Sequence, residues 1–298
     1  MAEIIAFANS KGGTGKTTTV RNIGERLAGR GKKVLLIDLD PTAGLSRNFH
    51  HYLGPISFEK SIFSVLGEAK TDIRECIANV KSSLDIVVSL TDIPYISSIK
   101  DDVLGPALEP ANDYDFILID CPPDTSILRF NALSAADGVI IPTMPDMLSI
   151  RGVETTIAAV EEVKERINPE LKVYGLIVTM FDGKLSHHQE CVKALEAEYD
   201  VISIIARDDP ALMYTAYDWL TQQVITGNYR SPVPPFLYQT SKRPVGRPKT
   251  GKETKAKKTI TILPSVYDTA AEIAGAENKA MSELIEELLV DYIKKHRE

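Results

Sequence analysis

The sequence predicts an α/β protein with a mostly parallel, doubly wound sheet and a small C-terminal module. Short apolar runs of strand length alternate with longer helical patterns, as in repeated βα units. The first run leads into a glycine-rich turn and a helix. A proline-punctuated, basic segment then interrupts the pattern. We therefore predict an α/β domain at 1–235, a basic linker at 236–256 and a module at 257–298.

The first element is a buried strand over residues 4–8, followed by the sequence SKGGTGKTTT and a helical pattern from about Lys16 to Arg30. In this context glycines let backbone N–H groups surround phosphates, and the helix N-terminus adds its dipole. The lysine at the helix start reaches the β- and γ-phosphates, and the next hydroxyl holds Mg²⁺. The predicted nucleotide-binding residues are Gly12, Gly13, Thr14, Gly15, Lys16, Thr17 and Thr18.

A second lysine, Lys11, precedes the glycine pair. The form KGGxGKT resembles the deviant Walker A box of the ParA/MinD family of ATPases. The resemblance implies a P-loop NTPase fold and a homodimer that sandwiches ATP, with Lys11 acting on the other subunit's nucleotide and Lys16 on its own. Both lysines are expected to act in catalysis, because positioned positive charge stabilises the phosphoryl-transfer transition state. The resemblance covers roughly residues 2–230.

The second and third buried strands, at 33–41 and 115–120, lead to carboxylates. Open parallel sheets bind ligands at the carboxyl ends of their strands, so Asp38 and Asp40 are expected to face the phosphates. By resemblance, Asp40 orients or activates the attacking water. Asp38 supports the Mg²⁺ shell, and Asp120 binds Mg²⁺ through water. ATP and Mg²⁺ are therefore the expected cofactors.

Later elements complete the α/β domain. A strand at 138–143 leads to a long helix at 147–166, and a strand at 172–179 ends beside Met180. The resemblance makes Met180 a contact of the nucleotide base. After a last strand at 201–205, two aspartates stand where the family often has basic residues. This departure argues against DNA binding by the α/β domain itself.

Composition limits the possible classes of protein. The chain has 298 residues, 44% of them hydrophobic, which is enough for one large core and a small extra module. No apolar stretch approaches the ~20 residues of a membrane span, and the first residues do not resemble a signal peptide. Cys76, Cys121 and Cys191 are scattered, which favours a reducing compartment and argues against a disulfide framework. We expect a cytoplasmic, nucleoid-associated protein with no membrane partner.

Positive charge is concentrated in one segment. Between residues 241 and 258, eight lysines and arginines accompany a single glutamate, although the whole chain has a net charge of −7. Such a local excess is typical of nucleic-acid binding. The sequence KRPVGRPK within it resembles an AT-hook, whose Gly-Arg-Pro core lies in the minor groove of A/T-rich DNA. The implied DNA contacts are Arg243, Arg247 and Lys249, and a solvated tether is the alternative.

Residues 257–298 have the pattern of a strand, a helix, a turn and a second helix. A polar–apolar alternation that stops at a proline predicts the strand, and Ser282 can cap the second helix. This order resembles the ribbon-helix-helix family of DNA-binding proteins, whose strands pair across a dimer. The resemblance implies that Lys257, Thr259 and Thr261 face the major groove and that the Ser282 helix binds phosphate. A dimerisation tail without DNA contacts and a membrane-surface anchor are the alternatives.

Together these features favour a ParA-like ATPase that forms an ATP-bridged dimer, binds DNA and drives partition of a plasmid or other DNA element. ATP hydrolysis to ADP and phosphate is expected to be weak without a stimulating partner, a ParB-like or cargo-adaptor protein. The DNA is nonspecific nucleoid DNA, a specific site, or both. Two other functions stay open, namely positioning of a protein cargo on the nucleoid and ATP-tuned transcriptional repression.

Overall fold

An eight-stranded sheet lies at the centre of the computed structural model, which describes residues 1–67, 69–91, 99–124 and 126–238. The strands are β1 (Glu3–Phe7), β2 (Val34–Asp38), β3 (Ile77–Lys81), β4 (Leu84–Val87), β5 (Phe116–Asp120), β6 (Gly138–Thr143), β7 (Lys172–Phe181) and β8 (Val201–Ala206). Their spatial order is β3-β4-β2-β5-β1-β6-β7-β8. All neighbours are parallel except β3 and β4. The predicted mostly parallel α/β sheet is confirmed.

Helices connect most of these strands. The α-helices are α1 (Lys16–Gly29), α2 (Gly44–Asn48), α3 (Ile62–Leu66), α4 (Ile73–Cys76), α5 (Leu104–Leu108), α6 (Ile127–Ala135), α7 (Met147–Arg166), α8 (Ser186–Glu198) and α9 (Pro210–Thr226). Short 3₁₀ turns occur at Phe58–Lys60, Glu109–Ala111 and Pro235–Tyr238. Over the described ranges, none of the helices combines the length and hydropathy that a membrane crossing requires.

The central strands are buried on both faces. Every residue of β2 (VLLID), β5 (FILID) and β6 (GVIIPT) is buried. Because alternate side chains of a strand point to opposite faces, a continuous buried run requires cover on both faces of the sheet. Two groups of helices pack against this sheet: α1 contacts α9, and α6 contacts both α5 and α7. The near-continuous apolar runs of the sequence are therefore explained by double cover.

The carboxyl ends of three central strands lie side by side. β1 has β5 on one side and β6 on the other, so the winding of the chain reverses at β1. Such a reversal opens a crevice at the carboxyl ends of the strands, where ligands bind. The register pairs Phe7 with Asp120, and Asp120 in turn with Asp38. The glycine-rich turn after β1 and the start of α1 at Lys16 belong to this same edge.

One strand boundary corrects the sequence prediction. The strand predicted over 33–41 ends at Asp38, because the chain turns there: the Asp40 N–H donates to Asp38 Oδ1 at 3.1 Å, and Ala43 has a φ of 52°. Asp40 consequently lies in a turn and not at a strand end. The β3–β4 hairpin and the short helices α2 to α4 were not predicted, because elements of four or five residues carry little periodicity.

Residues 236–238 of the predicted basic linker belong to the 3₁₀ turn Pro235–Tyr238. The rest of the linker and the whole ribbon-helix-helix module lie outside the described residues, and both remain predictions. The same holds for the DNA contacts predicted at Arg243, Arg247, Lys249, Lys257, Thr259, Thr261 and Ser282. The site described below therefore belongs to the α/β domain alone.

Candidate functional site

The loop between β1 and α1 has the backbone of a phosphate-binding loop. Gly13 and Gly15 have φ angles of 75° and 86°, the left-handed region that glycine enters without a steric penalty. Gly15 is the N-cap of α1. A Cβ at Gly15 would lie 3.2 Å from Thr179 Cγ2. Gly15 is thus required for the backbone conformation and also for close packing against β7.

Long-range hydrogen bonds hold this loop. Asn9 Nδ2 donates to the Pro142 carbonyl at 2.8 Å, and Asn9 Oδ1 accepts the Lys11 N–H at 2.8 Å. Thr179 Oγ1 donates to the Thr14 carbonyl at 2.9 Å. Sequence reasoning missed Asn9 and Thr179, whose loop-holding contacts span 133 and 165 residues of the chain. No local motif signals such partners.

Lys16 is held by the loop that it belongs to. Its side chain is buried, and Nζ donates to the carbonyls of Asn9 and Lys11 at 3.2 Å each. Burial lowers the pKa of Lys16, and the charge of Asp120 opposes that shift. The ammonium is therefore positioned by backbone carbonyls next to the predicted phosphate-binding N–H groups.

Asp38 and Asp120 form a buried pair of carboxylates across β2 and β5. Asp38 Oδ2 accepts the Ser46 N–H at 2.8 Å and the Ser46 hydroxyl at 2.7 Å. Neither carboxylate oxygen of Asp120 has a hydrogen-bond partner among the described residues. Burial raises the pKa of Asp38 to about 6; burial, together with the charge of Asp38, raises that of Asp120. Two buried carboxylates at adjacent strand ends repel each other, so binding of a proton or a cation stabilises the pair.

The groups around Asp120 suit Mg²⁺. The Thr17 hydroxyl, which makes no well-formed hydrogen bond to Asp120, and the charge of Lys16 lie in the first turn of α1, and both partly offset the rise in the pKa of Asp120. Mg²⁺ prefers hard oxygen ligands and is usually held by one or two carboxylates together with water and substrate phosphates. Asp120 offers two unpartnered oxygens, whereas Asp38 already accepts bonds from Ser46 and Asp40. The residues present therefore fit Mg²⁺. Asp120 and Thr17 are the residues that would bind it, directly or through water.

Asp40 lies in the turn that follows β2. Its Oδ1 accepts the Thr42 N–H at 2.8 Å, and its carbonyl accepts the Ser89 hydroxyl at 2.7 Å. These bonds fix a half-buried carboxylate close enough for its charge to raise the pKa of Asp38. The structure thus brings Asp40 together with the other two carboxylates. Its role in activating water remains a prediction.

Lys11 is bound within its own chain. Its Nζ donates to both carboxylate oxygens of Asp146 at 2.9 Å and to Ser149 Oγ at 3.0 Å. Asp146 is also the N-cap of α7 and accepts the Ser149 N–H at 2.9 Å. Partial burial acts to raise the pKa of Asp146, but the bonds from Lys11 and Ser149 outweigh it and lower that pKa. Asp146 is a partner of Lys11 that the sequence did not reveal.

Met180 lies near the carboxyl end of β7 in a strained conformation. Its φ is 54°, and 43% of the residue is exposed. A left-handed conformation is unfavourable for a non-glycine residue and is found preferentially at functional sites. An exposed apolar side chain in this position suits a contact with a flat apolar surface, and the predicted contact with the nucleotide base remains a prediction.

Replacing Asp120 by asparagine is expected to stabilise the metal-free fold. Burial and the charge of Asp38 raise the pKa of Asp120 in the fold, so the fold favours the protonated carboxyl and loses stability as pH rises from the ordinary range of a carboxyl towards that raised pKa. Asp120→Asn removes one charge of the pair. We expect the free energy of unfolding in urea and EDTA to rise by roughly 1–3 kcal/mol at pH 7.5 and by less at pH 4.5.

The matched control for this prediction is Asp200→Asn, which changes an exposed aspartate in the same way. We expect it to alter the free energy of unfolding by less than about 0.5 kcal/mol at either pH. An Asp120→Asn protein that is less stable than the unmodified chain at pH 7.5 would contradict the buried-charge interpretation.

Comparison with known protein families identifies relatives of this chain. A family model described as an AAA domain matches residues 2–173, which include the loop and the three carboxylates. The chromosome-partitioning ATPase Soj of Thermus thermophilus is 36% identical over 203 residues, 65% of this chain and 76% of Soj. Two uncharacterised proteins of Mycobacterium tuberculosis are 35% identical over 199 residues, and the match spans 61% of their length.

Solved structures share the fold. A plasmid partition protein from Borrelia burgdorferi matches with a TM-score of 0.68 and 26% identity, over 76% of this chain and 99% of that protein. A protein from Mycobacterium smegmatis described as cobyrinic acid a,c-diamide synthase, crystallised with ADP and magnesium, matches with a TM-score of 0.68 and 28% identity. This match covers 76% of the chain and 94% of that protein.

Proposed function

The chain belongs to the ParA family of P-loop ATPases, and we propose that it binds ATP with Mg²⁺. Hydrolysis of this ATP drives partition of a plasmid or other DNA element. The T. thermophilus relative is a chromosome-partitioning ATPase, and the B. burgdorferi protein is a plasmid partition protein. The M. smegmatis structure with ADP and magnesium supports both cofactors.

One observation carries this proposal: a phosphate-binding loop meets two buried carboxylates at adjacent strand ends. Lys16 and Thr17 begin α1, while Asp38 and Asp120 end β2 and β5. The unpartnered oxygens of Asp120 favour a cation at this position. A loop for phosphates beside a site for a divalent cation is what hydrolysis of a nucleoside triphosphate requires.

Each group has its own task in hydrolysis. The loop N–H groups bind the phosphates, and Lys16 offsets the charge that develops on the transferred phosphoryl group. Mg²⁺, held by Thr17 and Asp120 with Asp38 behind them, would supply further positive charge at the phosphate oxygens. Asp40 accepts a hydrogen bond from the attacking water and orients it. Met180 covers one face of the base.

Lys11 acts across a homodimer in this proposal. Each Lys11 reaches the nucleotide of the other subunit, as the resemblance implies. In the single chain Lys11 is already paired with Asp146, so dimer formation exchanges an intramolecular ion pair for an intermolecular one. This exchange makes the dimer depend on ATP, because Lys11 keeps its own partner until the other subunit presents a phosphate.

DNA binding is assigned to the segment beyond residue 240. Its charge supports phosphate contacts, whereas the exposed Arg207 of the α/β domain lies beside Asp208. We propose that Arg243, Arg247 and Lys249 grip the minor groove. Lys257, Thr259, Thr261 and the helix at Ser282 belong to a dimeric DNA-binding module. This places the ATPase on the nucleoid, where a ParB-like or cargo-adaptor partner stimulates hydrolysis.

DNA binding by the full chain tests this assignment. The triple variant Arg243→Ala, Arg247→Ala, Lys249→Ala is expected to bind an A/T-rich duplex at least tenfold more weakly and to lose its preference over a G/C-rich duplex. Replacing Lys252, Lys255 and Lys258 by alanine removes the same charge. That control is expected to weaken binding to both duplexes alike, because it removes only phosphate contacts. Fluorescence anisotropy at two salt concentrations, with and without ATP, measures both.

Two outcomes would revise the proposal. If both triple variants changed the preference for the A/T-rich duplex equally, the basic segment would act as a nonspecific tether. ATP-dependent binding that neither variant changes would move the DNA site into the α/β domain. A third duplex, taken from upstream of the protein's own gene, tests the repressor alternative: tighter binding to it than to the other two duplexes would favour a site-reading repressor over nonspecific nucleoid attachment.

A further inference from the structure

A cavity of about 250 Å³ lies between α6 and α7, and its lining residue Arg129 also contacts the phosphate-binding loop. Its walls are mostly apolar and include Phe130 and Leu133 from α6 and Ala158 and Val163 from α7. The guanidinium-bearing residue Arg129 also lines it. The cavity is smaller than the 300–1,000 Å³ that is usual for small-molecule sites. It has the size of one acidic side chain with an aliphatic neighbour.

Arg129 is a buried cation without an acidic partner. The residue is 3% exposed, and its only described hydrogen bond is from Nη1 to Ser10 Oγ at 2.6 Å. No carboxylate among the described residues lies within ion-pair distance of it. A guanidinium has five N–H donors in a planar fork that matches a carboxylate, and burying it unpaired is costly. Arg129 therefore lines the cavity without a described ion-pair partner, although the charge of Asp124 opposes the lowering of its pKa by burial from a greater distance.

The rim of the cavity does not supply the missing anion. Glu162 is the acidic residue that lines it, and Arg166 Nη1 already donates to Glu162 at 2.9 Å. Arg166 also pairs with Asp101 at 3.3 Å and lies 5.0 Å from the centre of the Phe130 ring. Glu162 is thus paired with Arg166, and the positive charge of Arg129 in the cavity wall is not balanced by it. An apolar cleft with this charge is complementary to a carboxylate on an aliphatic stem.

We propose that this cavity is the docking site of a partner protein, which inserts a glutamate flanked by aliphatic residues and pairs it with Arg129. The same guanidinium binds Ser10 of the phosphate-binding loop. Ser10 is held as well by Thr156, whose neighbour Thr155 lines the cavity. Docking at Arg129 therefore acts on a side chain that also holds Ser10, and it changes the support of the nucleotide loop. This second consequence rests on the proposed function, whereas the docking itself does not.

Peptide binding to the full chain, without nucleotide, tests the docking. The probe is a fluorescent, capped pentapeptide with a central glutamate between two leucines, and the matched peptide carries glutamine instead. Ala158→Leu fills the cavity from an exposed helical position, and Ala194→Leu makes the same change on α8, away from it. We expect the glutamate peptide to bind the unmodified chain and the Ala194→Leu variant equally. Its affinity should fall at least tenfold on Ala158→Leu, and the glutamine peptide should bind at least tenfold more weakly.

Three results would overturn the proposal. The first is equal affinity of the glutamate and glutamine peptides for the unmodified chain, and the second is undiminished affinity of the glutamate peptide for Ala158→Leu. The third is binding of 4-methylpentanoate without binding of either peptide, which would indicate a small-molecule site. Because no nucleotide is present, a failure here is independent of ATP hydrolysis. The coupling to the loop is measured separately: saturating glutamate peptide is expected to change the dissociation rate of a fluorescent ATP analogue at least twofold, and not in Ala158→Leu.

Discussion

Replacing Lys16 by alanine is expected to lower the rate of ATP hydrolysis by about 100- to 1,000-fold, the usual cost of removing one positioned charge from a transition state. Lys16 is held on the Asn9 and Lys11 carbonyls at the first position of α1. Burial lowers the pKa of Lys16, so keeping this side chain charged does not itself stabilise the fold. The variant should therefore fold normally, with a free energy of unfolding within about 1 kcal/mol of the unmodified chain.

Hydrolysis is measured as phosphate release by the full chain with saturating ATP and Mg²⁺. The matched control is Lys193→Ala, which removes an exposed lysine from α8 and is expected to leave the rate unchanged. A Lys16→Ala protein that folds and still hydrolyses ATP at the original rate would exclude the loop as the catalytic site. If Lys16→Ala lost its activity because it failed to fold, the urea curve would show it. Lys16→Gln, which keeps N–H donors on a slightly shorter, uncharged side chain, would then separate the two effects.

The arrangement of the predicted nucleotide-binding residues is the part of this protein that follows most directly from the sequence. Gly12 to Thr18 are consecutive, and their spacing alone defines the loop. Asp38 and Asp120 each follow a buried apolar run, and parallel pairing of β2 with β5 must bring the ends of such runs together. Local pattern and strand geometry thus suffice for these residues, which the structure does bring to one edge of the sheet.

Residues that act through long-range contacts were not predictable. Asp146 meets Lys11 across 135 residues, and Arg129 meets Ser10 across 119. Neither has a periodic or motif signature, because a polar pair of this kind needs only one residue at each end. Asp40 shows a related limit: the apolar run suggested a strand through residue 41, but hydrogen bonds to the Asp38 side chain favour a turn.

Replacing Asp146 by asparagine is expected to strengthen the ATP-bridged dimer, whereas Lys11→Ala should abolish it. The Lys11–Asp146 pair must open before Lys11 can reach another subunit, and its side chains are only 26% and 38% exposed. A pair of this exposure is worth about 1 kcal/mol at most, which corresponds to roughly fivefold in an equilibrium constant. Asparagine caps helices as well as aspartate does, so α7 keeps its start at Met147 and the bond from the Ser149 N–H, and it loses the charge and an acceptor for the Ser149 hydroxyl.

Release of a fluorescent ATP analogue from the full chain, chased with unlabelled ATP, distinguishes this dimer from any dimer formed by the C-terminal module, because only an ATP-bridged interface traps the nucleotide. We expect release about fivefold slower in Asp146→Asn and at least tenfold faster in Lys11→Ala. Asp218→Asn, which breaks the exposed pair with Arg30, serves as the matched control and should change nothing. If Asp146→Asn released nucleotide faster, Asp146 would support the ATP-bound state, and the ion pair would not be a resting position for Lys11. Slower release in Asp146→Asn together with faster release in Lys11→Ala would therefore show that Asp146 competes with the other subunit for Lys11.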